Sequence, residues 1–256
     1  MEITPPVSRY QQVAAHLRTA ILNGEYEPGQ SLPSEAELAK TYGLSRPTIR
    51  QAIAALQAEG LVTVEHGRGM FVRARPARRA TRDRQVHRDD RGYYFDPRAV
   101  SWVAVRPPTL TWASASPEIA DLLKIPAGSE VLVRDRQIGE QGGPPLQLAT
   151  SYLPGPLVQG TILEQADTGP GGIYDRLEEM GHTLHWVERI TTRMPTPDEA
   201  NALDLSKGVP LLRILRTTLN QTDEPLEVND TRMAGDQFEV AYTLQRAASA
   251  QPSETR

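Results

Sequence analysis

Residues 45–51 concentrate side chains that are well suited to binding DNA. Arg46 and Arg50 carry guanidinium forks, whose shape matches O6 and N7 of guanine in the major groove. Ser45 and Thr48 add hydroxyls of the kind that bond phosphate oxygens. Two arginines alone are more often solvated helix charges, so their interpretation depends on the elements that position them.

These side chains fall at the start of a predicted helix. Ser45 is a favourable N-cap, Pro47 is tolerated in the first turn, and Gly60 ends the helix. Arg46 and Arg50 lie off the apolar stripe that would face the core. That stripe consists of Ile49, Ala52, Ile53 and Leu56. The helix therefore offers its first turn and a half, with its free amides and positive dipole end, to a phosphate.

Two further helices precede this one. Apolar residues recur at helical spacing between Tyr10 and Ile21 and predict the first helix. Ser34 followed by Glu37 forms a capping box, which predicts the start of the second helix. Ser34 also offers its hydroxyl to a phosphate.

A predicted hairpin follows the third helix. Leu61–Val64 and Met70–Val72 are its strands, and its tip is rich in glycine. The tip consists of His66, Gly67, Arg68 and Gly69. Because glycine lets the backbone approach closely, we expect His66 and Arg68 to enter a minor groove. Three helices and a hairpin predict a winged helix-turn-helix over residues 1–72.

The distribution of charge along the chain supports DNA binding by the N-terminal part alone. Residues 1–82 have a net charge of +4 and residues 83–256 one of -8.

Residues 73–91 contain eight arginines and almost nothing apolar, which predicts a linker, and residues 247–256 are expected to be a disordered tail. The chain has no cysteine, no run long enough to span a membrane and no signal peptide, so a cytoplasmic protein is expected.

Residues 92–246 combine predicted strands and helices, so the chain is of the α+β class. Candidate strands are Val103–Val105, Val131–Ile138, Leu146–Leu153, Leu184–Arg193, Leu211–Leu219, Leu226–Met233 and Phe238–Leu244. Candidate helices lie near Pro117–Leu123, Ile173–Met180 and Pro197–Leu203. An all-helical domain is disfavoured.

The N-terminal part resembles the DNA-binding domain of GntR-type bacterial repressors. The phrases that carry the resemblance are Leu32-Pro33-Ser34-Glu35, Ser45-Arg46-Pro47-Thr48-Ile49-Arg50-Gln51-Ala52 and Gly67-Arg68-Gly69 with Phe71-Val72. The resemblance implies base contacts from Arg46 and Arg50, minor-groove contact from His66-Gly67, and phosphate contacts near Ser34, Ser45 and Thr48. Many members carry arginine where this chain has Ala36, a contact that a methyl group cannot make. Glu35 is expected to orient Arg46.

The C-terminal part resembles the UTRA effector domain of the HutC subfamily, which has a chorismate-lyase-like fold with a mostly antiparallel sheet. The phrases are Val133-Arg134-Asp135-Arg136, Ser151-Tyr152-Leu153-Pro154, Ile173-Tyr174 and Glu224-Pro225-Leu226-Glu227-Val228. The resemblance implies a ligand near Tyr174 and Glu227. Positions that sugar-phosphate-sensing relatives use differ here, including Gly172 and Met233, so an amino-sugar phosphate is not a safe inference.

Two arginines suit an anionic effector. Arg134 and Arg136 are two apart on a predicted strand, so they share a face and could clamp an anion. The strand face that carries the two arginines could instead be exposed to solvent and bind no ligand. Tyr174 could be a core residue, and Glu227 could pair with Arg136. Tyr94 lies in Tyr93-Tyr94-Phe95, which is either an aromatic lid on the effector or a segment docked on the core.

The expected partners are double-stranded operator DNA, a small-molecule effector of unknown identity and a second copy of the chain. A pseudo-palindromic operator with GT…AC half-site ends is implied by the resemblance. No cofactor is expected, because no glycine-rich nucleotide fingerprint follows a strand. No metal is expected either, because His182 and His185 fall on opposite faces of a strand. The alternatives are a chorismate-lyase-like enzyme, for which no nucleophile motif is present, and a DNA-binding protein without a ligand.

Overall fold

The computed structural model describes residues 8–65, 67–73, 80–83, 86–89, 92–94, 102–169 and 172–242. Its backbone divides into two compact units. The first comprises residues 1–77, 192–211 and 234–237, and the second comprises the remaining segments.

Three helices form the core of the N-terminal part. They are α1 (Arg9–Leu22), α2 (Glu35–Tyr42) and α3 (Arg46–Ala58). Ser34 caps α2 with the predicted capping box, and Gly43 ends it with a φ of 62°, the left-handed conformation that glycine adopts readily. The apolar stripe of α3 is buried as predicted, and Ile49 and Leu56 have no exposed surface. Burial of this stripe positions the opposite face of α3 toward solvent.

The predicted hairpin is present. Strands β1 (Val62–Glu65) and β2 (Gly69–Val72) pair antiparallel, with Val62 opposite Val72. Val62, Met70 and Val72 pack into the same core as the three helices. This packing fixes the base of the hairpin and leaves its tip exposed. The winged helix-turn-helix fold is therefore confirmed.

The second half contains a seven-stranded sheet. Its strands are β6 (Trp102–Ala104), β7 (Thr109–Ser114), β8 (Glu130–Glu140), β9 (Gln147–Pro154), β10 (His185–Arg193), β11 (Leu211–Leu219) and β12 (Pro225–Ala234). The order is β10-β11-β12-β9-β8-β6, and β7 also pairs with β8. The pairings of β8 with β6, β7 and β9, and of β9 with β12, are antiparallel, in agreement with the mostly antiparallel sheet that the resemblance implied.

Helices cover both faces of this sheet. The helices of the second half are α4 (Pro117–Leu123), α5 (Gly155–Val158), a 3₁₀ helix (Ile162–Glu164), α6 (Gly172–Glu179) and α7 (Pro197–Ala202). Residues of α4 pack with Val131 on one face, whereas α5, the 3₁₀ helix and α6 pack with Leu132 on the other. Because neighbouring strand residues point to opposite faces, this contrast assigns the even-numbered residues of β8 to the α6 side.

Part of the segment predicted to be a linker has strand conformation. The remaining short strands are β3 (Ala80–Asp83), β4 (His87–Asp89), β5 (Gly92–Tyr94) and β13 (Phe238–Ala241). β3 pairs in parallel with β13, and β4 pairs antiparallel with β5. Sequence reasoning missed β3 and β4 because they contain almost no apolar residues. The predicted tail, residues 247–256, lies outside the described residues.

Candidate DNA interface and effector site

Helix α3 presents its first turn to solvent. Arg46 is the first residue of the helix, and it and Arg50 are exposed. The Arg50 side chain keeps 69% of its surface accessible. The packing of α3 therefore leaves both guanidinium groups available to a ligand.

Glu35 holds Arg50 and not Arg46, contrary to the expectation from sequence. The Nε and Nη2 groups of Arg50 donate to Oε1 and Oε2 of Glu35 at 3.1 and 2.9 Å. These hydrogen bonds lower the pKa of the Glu35 carboxyl, with a smaller contribution from the charge of Arg46. The first residue of α2 thus fixes the guanidinium fork of α3, because the two helices pack at this point.

The three predicted phosphate-binding hydroxyls differ in their surroundings. Ser34 Oγ accepts from the backbone N–H of Glu37 at 3.3 Å and donates to its carboxylate at 2.7 Å. Ser45 makes no side-chain capping bond. Its Oγ lies 2.9 Å from Oγ1 of Thr48, so the two hydroxyls share one hydrogen bond at the start of α3. Ser34 therefore already has a structural role, whereas Ser45 and Thr48 form an exposed hydroxyl pair.

The wing tip has the backbone that its glycines predict. Gly67 and Gly69 have φ values of 74° and 115° and are exposed. Arg68 forms an ion pair with Glu65 at 2.5 Å, and its guanidinium carbon lies 6.0 Å from the centre of the Phe71 ring. The minor-groove expectation for Arg68 therefore requires this exposed pair to open. His66 lies outside the described residues.

A buried polar cluster lies on the α6 face of the sheet. Arg134 of β8 is opposite Ser151 of β9, which in turn is opposite Asn229 of β12. Arg136 is opposite Ala149, so the two arginines share this face, as predicted. Ser151, Asn229 and Glu227 are less than 5% exposed. Burial of so many polar groups is costly unless each has a partner.

Arg134 is bound by backbone carbonyls. Its Nη1 donates to the carbonyl of Gln165 at 2.7 Å, and its Nη2 donates to that of Ala166. Burial lowers the pKa of Arg134, and the nearby charge of Arg136 lowers it further, whereas Asp167 and Glu227 oppose this effect. The residue is therefore a buried cation that two neutral acceptors hold in place.

Arg136 has spare hydrogen-bonding capacity. Its Nη2 donates to Ser151 Oγ at 3.0 Å, and Ser151 Oγ also accepts from Asn229 at 3.0 Å. Its buried Nε has no partner among the residues that the structure describes. The predicted alternative, an ion pair with Glu227, is not formed. Glu227 instead accepts a hydrogen bond from Thr218 Oγ1 at 2.8 Å.

Tyr174 belongs to a network on α6, β10 and β11. Its hydroxyl is hydrogen-bonded to Thr218 and Arg216, and burial raises its pKa to about 12. Its ring meets that of Trp186 edge-on, with centroids 5.7 Å apart. Arg216 in turn donates to Glu188 at 2.8 Å. Tyr174 is therefore near the cluster, as predicted, but its polar atom is held by neighbouring side chains.

Several members of the cluster were not predicted. They are Ser151, Thr218, Arg216, Asn229 and Glu188. Ser151 lies in the Ser151-Tyr152-Leu153-Pro154 phrase, and that was the one available signal. Tyr94 ends strand β5, but its side chain lies outside what the structure describes, so its predicted role is untested.

Two classes of feature are missing from the described residues. No helix there is long and apolar enough to cross a membrane. No group of three or more histidine or acidic side chains there could hold a metal ion. His185 instead lies 2.9 Å from Asp223 through its Nε2.

Two family models match the chain. Residues 9–72 match bacterial regulatory proteins of the gntR family, and residues 109–239 match the UTRA domain. Together they cover the winged helix-turn-helix and the sheet that carries the buried polar cluster. The first implies DNA binding, and the second implies a small-molecule effector.

Relatives match over nearly the whole chain. An uncharacterised HTH-type transcriptional regulator of Streptomyces coelicolor is 29% identical, with 97% of each chain covered. The HTH-type transcriptional repressor NagR of Bacillus subtilis is also 29% identical, with 94% of this chain and 96% of that protein covered.

Solved structures show the same architecture. The crystal structure of a GntR-family transcriptional regulator has a TM-score of 0.71 at 27% identity and covers 94% of this chain and 99% of that one. PhnF of Mycobacterium smegmatis shares the fold, with a TM-score of 0.52 at 24% identity over 92% of this chain and 100% of that one. The two sequence relatives are named as transcriptional regulators, which decides against the enzyme alternative. The chain belongs to the GntR family of bacterial transcriptional regulators and has the HutC-like combination of a winged helix-turn-helix with a UTRA effector domain.

Proposed function

We propose that the chain is a transcriptional repressor that binds a pseudo-palindromic operator as a homodimer and is released by a small anionic effector. The observation that carries the proposal is two arginines on one face of a UTRA sheet: Arg134, which is buried, and Arg136, which is half-buried and has a buried Nε. Neither forms an ion pair with a carboxylate among the described residues. A buried charge without a counter-ion is costly, and an anionic ligand would remove that cost.

The DNA contacts follow from the exposed start of α3. Arg46 and Arg50, which are both exposed, would read base edges in the major groove of one half-site. Ser45 and Thr48, together with Ser34, would position the helix on the phosphates. Arg68 and the glycines of the wing, with His66, would follow the minor groove. A two-fold operator with GT…AC ends fits a dimer with one such helix for each half-site.

Replacing Arg50 tests the DNA assignment. Arg50→Ala should weaken specific operator binding by about ten- to a hundredfold and spare most non-specific binding, because a bidentate base contact carries sequence discrimination. Gel shifts with operator and scrambled duplexes measure both affinities. Arg189→Ala removes an exposed arginine from strand β10 and serves as the charge control. If both variants bind operator as the parent does, Arg50 contacts no base.

The effector would bind through its negative or carbonyl group. Arg136 offers its buried Nε, and Arg134 adds a second positive charge held next to it. Glu227 would accept from a hydroxyl or amine of the same ligand, beside Thr218. Tyr174 would shape the site through its ring, because its hydroxyl is already hydrogen-bonded. A carboxylate, a phosphate or a phosphonate satisfies this arrangement.

Replacing Arg136 tests the effector assignment. A thermal-shift screen with carboxylated and phosphorylated metabolites should find a ligand that raises the melting temperature of the parent and releases operator. Arg136→Gln should fold, dimerise and hold operator but no longer release it. Normal release by a stable variant would move the site elsewhere, with Tyr94 and the residue 169–172 loop as the next positions to test. A large loss of melting temperature without ligand would instead make Arg136 structural.

The DNA-binding protein without a ligand remains the competing function. A protein that only binds DNA needs neither a second compact domain nor a buried arginine without a carboxylate partner. The screen separates the two, because a ligand-independent protein would show no stabilisation by any anion and no change in operator affinity.

A further inference from the structure

The first compact unit contains an intramolecular contact at the end of the recognition helix. Besides the winged helix-turn-helix, this unit includes residues 192–211 and 234–237. Three positions make the contact, and we refer to Arg73, Gly208 and Asp236 as the clamp. Arg73 directly follows strand β2, Gly208 precedes β11, and Asp236 follows β12.

Gly208 lies against the last carbonyls of α3. A Cβ atom built at Gly208 would lie 2.7 Å from the carbonyl oxygen of Gln57 and 3.2 Å from that of Ala58. The φ of Gly208 is 87°, a conformation that other residues rarely adopt. Both the space and the backbone conformation therefore require glycine at this position.

Arg73 joins the wing, the helix end and the turn after β12. Its Nη2 donates to Asp236 Oδ2, and both side chains are less than 20% exposed. Its Nη1 lies 3.2 Å from where a Cβ of Gly60 would be. Its backbone N–H donates to the carbonyl of Leu61 at 2.9 Å. One guanidinium thus covers the end of α3 and is neutralised by a largely buried carboxylate.

The clamp leaves the DNA-reading groups free. Arg46 and Arg50 lie at the opposite end of α3, and Gly67 to Gly69 lie at the far end of the wing. The clamp residues adjoin the ends of β11 and β12, where the N–H of Gly235 donates to the carbonyl of Pro210 at 2.8 Å. The same two strands carry Thr218 and Glu227 of the polar cluster.

We propose that the clamp is a regulatory contact that transmits strain between the recognition helix and strands β11 and β12. A shift of either strand end would act on the end of α3, since Gly208 lies against its last carbonyls and Asp236 holds Arg73 next to Gly60. By reciprocity, operator binding to α3 would alter the ends of β11 and β12. This inference rests on the DNA-binding part of the proposed function, but not on the identity of any effector.

Hydrogen exchange of the full chain without ligand is the first test. Asp236→Asn removes the charge that holds Arg73, and Gly208→Ala forces a Cβ against α3. In both variants the amides of residues 59–61 should exchange about tenfold faster than in the parent. Asp204→Asn, an exposed carboxylate of the same unit, is the control for charge. Gly128→Ala is the control for backbone strain, because its φ is 83° and nothing lies within 4 Å of its Cβ.

Operator DNA is the second probe. A duplex selected by the parent from a random-sequence pool should change the exchange of residues 211–212 and 234–237 in the parent and both controls. It should not do so in Asp236→Asn or Gly208→Ala, although both should still bind the duplex by fluorescence anisotropy. Unchanged exchange of residues 59–61 in both clamp variants would overturn the proposal, as would an intact DNA response in them. Failure of the proposed function would appear differently, as a parent that selects no duplex or responds to no effector.

Discussion

At the scale of single residues, the burial and the hydrogen-bond partners of each arginine decide what it can do. Arg50 is held by Glu35 and still exposes most of its side chain, so its guanidinium group has a fixed orientation and remains accessible. Arg134 is buried and bound by carbonyls, which makes it a fixed charge. Arg136 lies between these extremes, with one hydroxyl partner and a buried Nε that has no partner in the described part of the chain. The neighbours of each arginine therefore determine how much of its hydrogen-bonding capacity is left for a ligand.

Glu35→Gln tests the pre-orientation of Arg50. A glutamine can accept only one of the two hydrogen bonds, so Arg50 would lose its fixed geometry and its ordering would cost free energy on binding. Specific operator affinity should fall by about three- to tenfold, while non-specific affinity should hold or rise because a negative charge is lost. Titrations of specific and scrambled duplexes give the ratio. Glu27→Gln, which removes another exposed carboxylate of this domain, is the control, and an equal ratio in both variants would contradict the role.

At the scale of elements, the sequence predicted the helices and strands that a local pattern of residues marks. Helix α4 and strand β11 begin and end at the predicted residues, because caps and apolar periodicity mark them. Strand β7 was missed, since its residues are mostly exposed and it is a strand through pairing with β8. The shared face of Arg134 and Arg136 followed from period two alone.

Parts of both sites depend on packing that a sequence pattern does not contain. Asn229 reaches Ser151 because β12 lies next to β9, and Glu35 reaches Arg50 because α2 packs on α3. Side chains that are distant along the chain are brought together by sheet order and helix packing. Sequence reasoning could therefore name candidate residues more readily than their partners.

The two serine caps of the DNA-binding part provide an element-scale prediction. Ser34→Ala should lower the free energy of unfolding by about 1 kcal/mol, because it removes a capping box. Ser45→Ala should lower it less, since this side chain makes no capping bond, but it should weaken the binding of all DNA sequences. Urea denaturation and gel shifts measure the two effects. Equal stability losses would show that the hydroxyl of Ser45 caps α3 after all.

At the scale of the whole molecule, charge is distributed unevenly along the chain. Residues 1–82 carry a net +4, and the rest of the chain carries -8. A polyanion is therefore attracted to the N-terminal part and repelled by the remainder. The positive balance of residues 1–82 comes from five arginines of the predicted linker, at positions 73, 75, 78, 79 and 82. Arg75, Arg78 and Arg79 lie outside the described residues, so their contribution must be measured in solution.

Replacing these three arginines by alanine should weaken operator and scrambled duplexes alike. Phosphate contacts release counter-ions without reading bases, so each lost contact should reduce the slope of log affinity against log salt by about 0.9. The double replacement of the exposed Arg106 and Arg189 by alanine is the control for general charge and should leave the slope unchanged. A triple variant with the parental slope would leave the segment as a tether, because three arginines on phosphates cannot be lost without a change in counter-ion release.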